Sequence, residues 1–164
     1  MTGFSLVAAL TIAATAPKTF SDDPSQYVVK VPANCTVRAK VSATLPSFID
    51  CGKGYARVAT APGSDEPSLQ KLVNTLIGNW DNLKLIQNQM AGTLGGVPSR
   101  LIYAEGTVGG QPDSIEMLAV TRGGRWYILV MAAPQSEWVS DGVRYFAAVK
   151  NGFTFTGKPA QPKK

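Results

Sequence analysis

Residues 125–132 read RWYILVMA, and the fold turns on this stretch. In an extended chain successive side chains point to opposite faces. Trp126, Ile128 and Val130 therefore line one side, and Tyr127, Leu129 and Met131 line the other. A strand that is apolar on both faces escapes water only inside a sheet covered on both sides.

The residues upstream supply the neighbouring strands. Residues 114–121 (SIEMLAVT) and 100–108 (RLIYAEGTV) have strand character, and 83–90 reads as a further strand. Gly123-Gly124 and Gly109-Gly110-Gln111-Pro112-Asp113 are turn sequences, as are Ala91-Gly92 and Gly95-Gly96-Val97-Pro98. Such short glycine-rich links predict an antiparallel meander.

Covers for the sheet come from two amphipathic segments. Leu69, Leu72, Val73, Leu76, Ile77 and Trp80 recur at helical spacing behind Ser64-Asp65-Glu66-Pro67, which offers caps, acidic charge for the helix dipole and a first-turn proline. The spacing predicts a helix over 68–80, ended by Asp81-Asn82. The second helix is expected to start at a Ser136 cap and to present Trp138, Gly142, Tyr145, Phe146 and Val149. Gly152, in a left-handed conformation, would stop it, and 153–155 (FTF) resembles a short last strand. The predicted class is α+β: a three-layer α/β/α sandwich with a central, mainly antiparallel sheet flanked by helices.

Before these elements, 17–26 reads as a polar linker and 27–31 (YVVKV) as a strand stopped by Pro32. Val37, Ala39 and Val41 alternate with Arg38, Lys40 and Ser42, and 45–50 returns antiparallel. A turn near Ala43 sets Cys35 opposite Cys51, the register an inter-strand disulfide needs. Residues 55–60 alternate up to the turn at Pro62-Gly63. One domain is expected over 27–156, with a flexible basic tail at 157–164.

Compartment follows from the cysteines and the first residues. Residues 4–16 (FSLVAALTIAATA) form an uncharged apolar run ending in Ala-Thr-Ala, the small-residue pattern of a cleaved secretory signal. The run is too short to span a membrane as a helix. No Lys or Arg precedes it and Pro17 follows it, so a buried first element of the domain is the competing reading. We expect 1–16 to be a signal-peptide remnant. A disulfide between Cys35 and Cys51, which we expect, points the same way, to a secreted or periplasmic protein, whereas two buried free thiols would suit a cytosolic one.

Composition removes whole classes of chemistry. With no histidine, the chain has no imidazole base, no Ser-His-Asp triad and no imidazole metal ligand. Its 2 cysteines cannot complete a four-ligand zinc site, and no cofactor motif is present. Residues 92–96 (GTLGG) lack the Lys-Ser/Thr of a phosphate loop. Asp22-Asp23 and Asp65-Glu66 lack the alternating ligands of a calcium loop. The net charge of +5 comes from scattered Lys and Arg, whereas nucleic-acid binders concentrate them on one face, so no nucleic-acid partner is expected. Glu105 and Glu116 on neighbouring strands could mimic a glycosidase pair, or simply face solvent at the sheet margin. Arg122 and Arg125, flanking Gly123-Gly124, are candidate ligands for an anion or else a solvated hairpin tip.

The order of elements from Tyr27 to Phe155 resembles the PsbP-like fold. The resemblance rests on the strand ending in Val31-Pro32, the amphipathic helix 68–80 and Gly96-Val97-Pro98 leading into 100–103. The strand 125–131 and the closing helix before Gly152-Phe153 complete it. The aromatic that relatives often place soon after the first proline is replaced here by Asn34-Cys35. DcrB-type bacterial periplasmic proteins share this fold. So do a photosystem II extrinsic subunit, a Ran-binding import factor and chaperones of type VI secretion effectors. The resemblance implies a binding role more than an enzymatic one.

The expected function is a non-catalytic extracytoplasmic binding or accessory domain whose partner is a protein or small ligand. A cytosolic chaperone or adaptor, and an enzyme using carboxylate, Lys or Tyr chemistry, stand as alternatives.

Overall fold

In the computed structural model the described residues are 17–138 and 143–157, with backbone only at 143 and 144. The strands are β1 (Lys18–Asp22), β2 (Tyr27–Val31), β3 (Thr36–Ala39), β4 (Ser47–Asp50) and β5 (Tyr55–Pro62). Helix α1 (Glu66–Leu76) follows, then β6 (Asp81–Leu94), β7 (Val97–Val108), β8 (Gln111–Arg122) and β9 (Arg125–Pro134). Helices α2 (Gln135–Glu137) and α3 (Val143–Asn151) precede β10 (Thr154–Phe155).

Seven strands form one antiparallel sheet in the order β3-β4-β5-β9-β8-β7-β6. The doubly apolar strand is its middle member, and every residue from Trp126 to Ala133 is buried. The meander β6–β9 turns three times on a Gly-Gly pair, at 95–96, 109–110 and 123–124. In each pair the first glycine has φ of 57–59° and the second 73–79°. Two successive left-handed residues make the turn whose twist matches that of paired strands, and a side chain there would be strained.

The two faces of β9 meet different covers. Ile128 and Val130 pack with Leu69, Leu72, Val73 and Leu76 of α1, and Trp126 donates its indole N–H to Ser68 Oγ at 2.9 Å. Asp65 caps α1, its carboxylate accepting the Ser68 N–H at 3.0 Å. Leu129 and Met131 pack on the other side with Tyr27, Val29 and Val31 of β2, Phe146 and Val149 of α3, and Phe153. That second cover is a three-stranded sheet, β1-β2-β10, sharing the face with α3. The architecture is thus β-rich and mainly antiparallel, which corrects the expected α/β/α sandwich: one cover is mostly strand.

Several boundaries also move. Lys18–Asp22, read as linker, is β1 and pairs with β2 along its length. Helix α1 ends at Leu76 rather than 80, because Ile77 leaves helical geometry, yet Trp80 still reaches the core. Strand β6 does not break at Ala91-Gly92 but continues to Leu94 through a bulge. Ser136 lies inside α2 rather than at a helix start, and Gly152 has no positive φ. Gly152 is required by close approach instead, since a Cβ there would lie 2.5 Å from the Lys30 Cβ. Gly142, residues 1–16 and residues 158–164 lie outside the described residues.

Candidate functional site

Arg122 and Arg125 have different partners in the fold. The Arg122 guanidinium lies 4.8 Å from the Phe155 ring centroid and donates to the carbonyls of Thr156, at 3.2 Å, and Gly157. Arg125 donates to Thr60 Oγ1 at 3.2 Å. Both have partners within the fold, Arg122 tying the segment after β10 to the β8–β9 turn. Cys35 and Cys51 are bridged just outside the β3–β4 ladder, where Thr36 pairs with Asp50.

Glu105 and Glu116 lie on β7 and β8, on the face opposite α1, but are offset by two ladder positions: Tyr103 faces Glu116 and Glu105 faces Ser114. The Tyr103 hydroxyl donates toward Glu105 Oε1 or the buried Ser114 Oγ, each at 3.2 Å. Trp138 leans on the Tyr103 ring at 5.7 Å, and Lys150 of α3 lies 3.9 Å from Glu116. Burial pushes the Glu116 carboxyl above its usual range, with Lys150 working against the shift. A carboxyl whose folded pKa is raised costs stability once it is ionised, and the cost vanishes when both states are protonated. Glu116→Gln should therefore unfold at higher urea than the parent at neutral pH, and this advantage should disappear at acid pH. Equal midpoints at both pH values would contradict the shift. Among the described residues no group of three or more His, Cys, Asp or Glu is placed to hold a metal ion.

A different surface stands out along β6. Helix α1 covers the middle of the sheet and stops short of this edge strand, leaving a cleft of about 250 Å³ between them. Leu69 and Val73 of α1, with Ile77 just after it, form one wall, Leu83 and Leu85 the other, with Ile102 and Ala104 as part of the lining. Arg100 and Glu66, paired at 2.6 Å, also border it. Leu83, Leu85, Ile86 and Met90 are 37%, 56%, 48% and 65% exposed, four large apolar side chains on one strand. Of these, Leu83 and Leu85 line the cleft, and exposed apolar surface beside an apolar cleft is a mark of interaction sites in folded proteins.

Among the described residues β6 is an edge, with no strand paired on its outer side. Three register shifts, at 81–84, 85–87 and 90–92, bulge it. Bulges re-aim side chains and interrupt the regular ladder that another strand would need. The surface is therefore suited to side-chain contacts in the cleft more than to continuous strand addition. Sequence reading missed it by treating 83–90 as an ordinary strand. The available signal was Leu85-Ile86, adjacent apolar residues that break a period of two.

No family model matches the chain, and no curated protein matches it. Solved structures do resemble it. Cyanobacterial PsbP (CyanoP) of Synechocystis sp. PCC 6803 aligns with a TM-score of 0.60 at 12% identity, over 92% of this chain and 98% of that one. The Ran-binding protein Mog1p of Saccharomyces cerevisiae aligns with a TM-score of 0.60 at 9% identity, over 85% of this chain and 95% of the other. At these identities the likeness establishes a PsbP-like fold.

Proposed function

We propose that this PsbP-like domain is a non-catalytic binding or accessory domain outside the cytosol, holding an apolar segment of a protein partner between α1 and β6. The observation that carries the reading is the exposure of Leu83, Leu85, Ile86 and Met90 beside a cleft whose walls are already apolar. Burying a Leu or Ile side chain against such walls stabilises a complex by about 1.5–3 kcal/mol per residue. The similar structures include a Ran-binding protein, which supports a protein as partner. The extracytoplasmic location is supported by the Cys35–Cys51 bridge, since structural disulfides persist where the environment is oxidising.

The test is site-specific photo-crosslinking in the cells that make the protein. A photoreactive residue at Leu85 should trap one discrete partner, and the same residue at Ser42, exposed on a distant loop, should not. Adding Leu83→Asp should abolish the Leu85 adduct. An adduct pattern equal at both positions, or no adduct at either, would overturn the reading.

A further inference from the structure

On the α1 side of the sheet, but at the end away from β6, the strands β3, β4 and β5 carry a second surface. Arg38 pairs across strands with Phe48, and Phe48 pairs with Arg57, so all three side chains share one face. Tyr55, two residues before Arg57, shares it as well. The Arg38 guanidinium lies 4.7 Å from the Phe48 ring centroid. Phe48 and Tyr55 stack at 5.2 Å and 21°, and the Arg57 guanidinium lies 5.5 Å from the Tyr55 centroid. Four planar groups thus form one stack, cation–ring–ring–cation.

Stacking leaves the rim of a guanidinium free and fixes its orientation, which prepares the N–H fork for an anion. Neither arginine has an acidic partner among the described residues, whose ion pairs are Lys53–Glu137, Arg100–Glu66 and Lys150–Glu116. Arg57 gives one N–H to the Leu76 carbonyl at the end of α1, while its buried Nε has no partner. The acid nearest in register, Asp50 opposite Tyr55, accepts the Gly52 N–H at 2.8 Å. A half-buried cation without a counter-charge is costly, and an arriving carboxylate removes that cost.

We propose that this face binds an acidic segment of a protein partner, with Arg38 as its principal contact and Arg57 as the second. The chain's charge of +5 favours an acidic partner. An extended acidic segment crossing the strands carries carboxylates on alternate residues about 7 Å apart, within reach of both side chains. A phosphate polymer gains its affinity from many cations along a track. This face offers two, beside ring edges that suit peptide side chains.

A fluorescent polyglutamate peptide, followed by anisotropy at low ionic strength, tests the assignment against a charge-matched control. Arg38→Gln should weaken binding by about tenfold, the loss expected for a charge-assisted hydrogen bond. Arg38→Lys, which keeps the charge and loses the stacked fork, should weaken it nearly as much. Lys84→Gln on the distant β6 removes the same charge and should change it less than about twofold, as a screened remote charge does. Equal losses for Arg38→Gln and Lys84→Gln would reduce the effect to net charge and overturn the site. No binding of polyglutamate, or Arg38-dependent binding only of a sulfated oligosaccharide run in parallel, would overturn the choice of ligand. None of these outcomes depends on the α1–β6 cleft, so the two surfaces stand or fall separately.

Discussion

Leu129→Ala should lower the unfolding free energy by about 2–5 kcal/mol, and Ile128→Ala should do the same within that range. Both side chains are 0% exposed, and they are adjacent residues on opposite faces of the central strand. Leu129 is enclosed by β2, α3 and the sheet, Ile128 by α1 and the sheet. Each truncation removes buried methyl groups and leaves a cavity that close-packed surroundings fill only in part. Urea unfolding of the two variants, measured separately, probes the two covers independently. One costly and one neutral result would mean that a face of β9 is open to water.

The second large effect concerns the bridge. Cys35→Ser should cost about 2–4 kcal/mol, because the bridge restricts the unfolded chain. The cysteines are 16 positions apart, and both are buried, at 1% and 8% exposure. The oxidised protein should weigh two hydrogens less than the reduced one by intact-mass measurement. Two free thiols in protein purified without reductant would remove the bond, and with it the main support for an extracytoplasmic location.

What was legible in the sequence was whatever depends on local pattern. The central position of 125–131 followed from its two apolar faces, and the Cys35–Cys51 pairing from the alternation of the hairpin that holds it. Helix α1 was legible because Leu69, Leu72, Val73 and Leu76 leave a single stripe. The second cover was misjudged because strandness in β1 depends on a long-range neighbour. Lys18–Asp22 (KTFSD) has a polar composition, and only pairing with β2 makes it a strand. Gly152 was assigned to the wrong cause for a similar reason. A glycine after a helix usually relieves a left-handed backbone, whereas here it makes room for Lys30 of β2. The candidate surfaces were the least legible. Exposure of Leu85 and Ile86 depends on where α1 ends relative to the sheet, and the Arg38–Phe48–Tyr55–Arg57 stack needs the register of three strands. Residue types alone do not announce the stack, and for the cleft they offer only the adjacent pair Leu85-Ile86.

The order of strands in the large sheet has a consequence for how the chain acquires it. The β6–β9 neighbours meet across two-residue turns, so each pairing closes a minimal loop at little entropic cost. Strand β5, by contrast, joins β9 with Ala59 against Ile128, positions whose numbers differ by 69, and the loop-closure entropy of that step is the largest in the sheet. Until β9 is in place, β5 has β4 on one side and no strand on the other, and Ala56, Val58 and Ala59, all buried in the finished fold, lie beside that open edge. Until residues 125–132 join, β5 keeps that open edge, and unpaired strand edges make partly folded chains prone to aggregation. A holding factor that shields the β5 segment would matter most before that pairing forms.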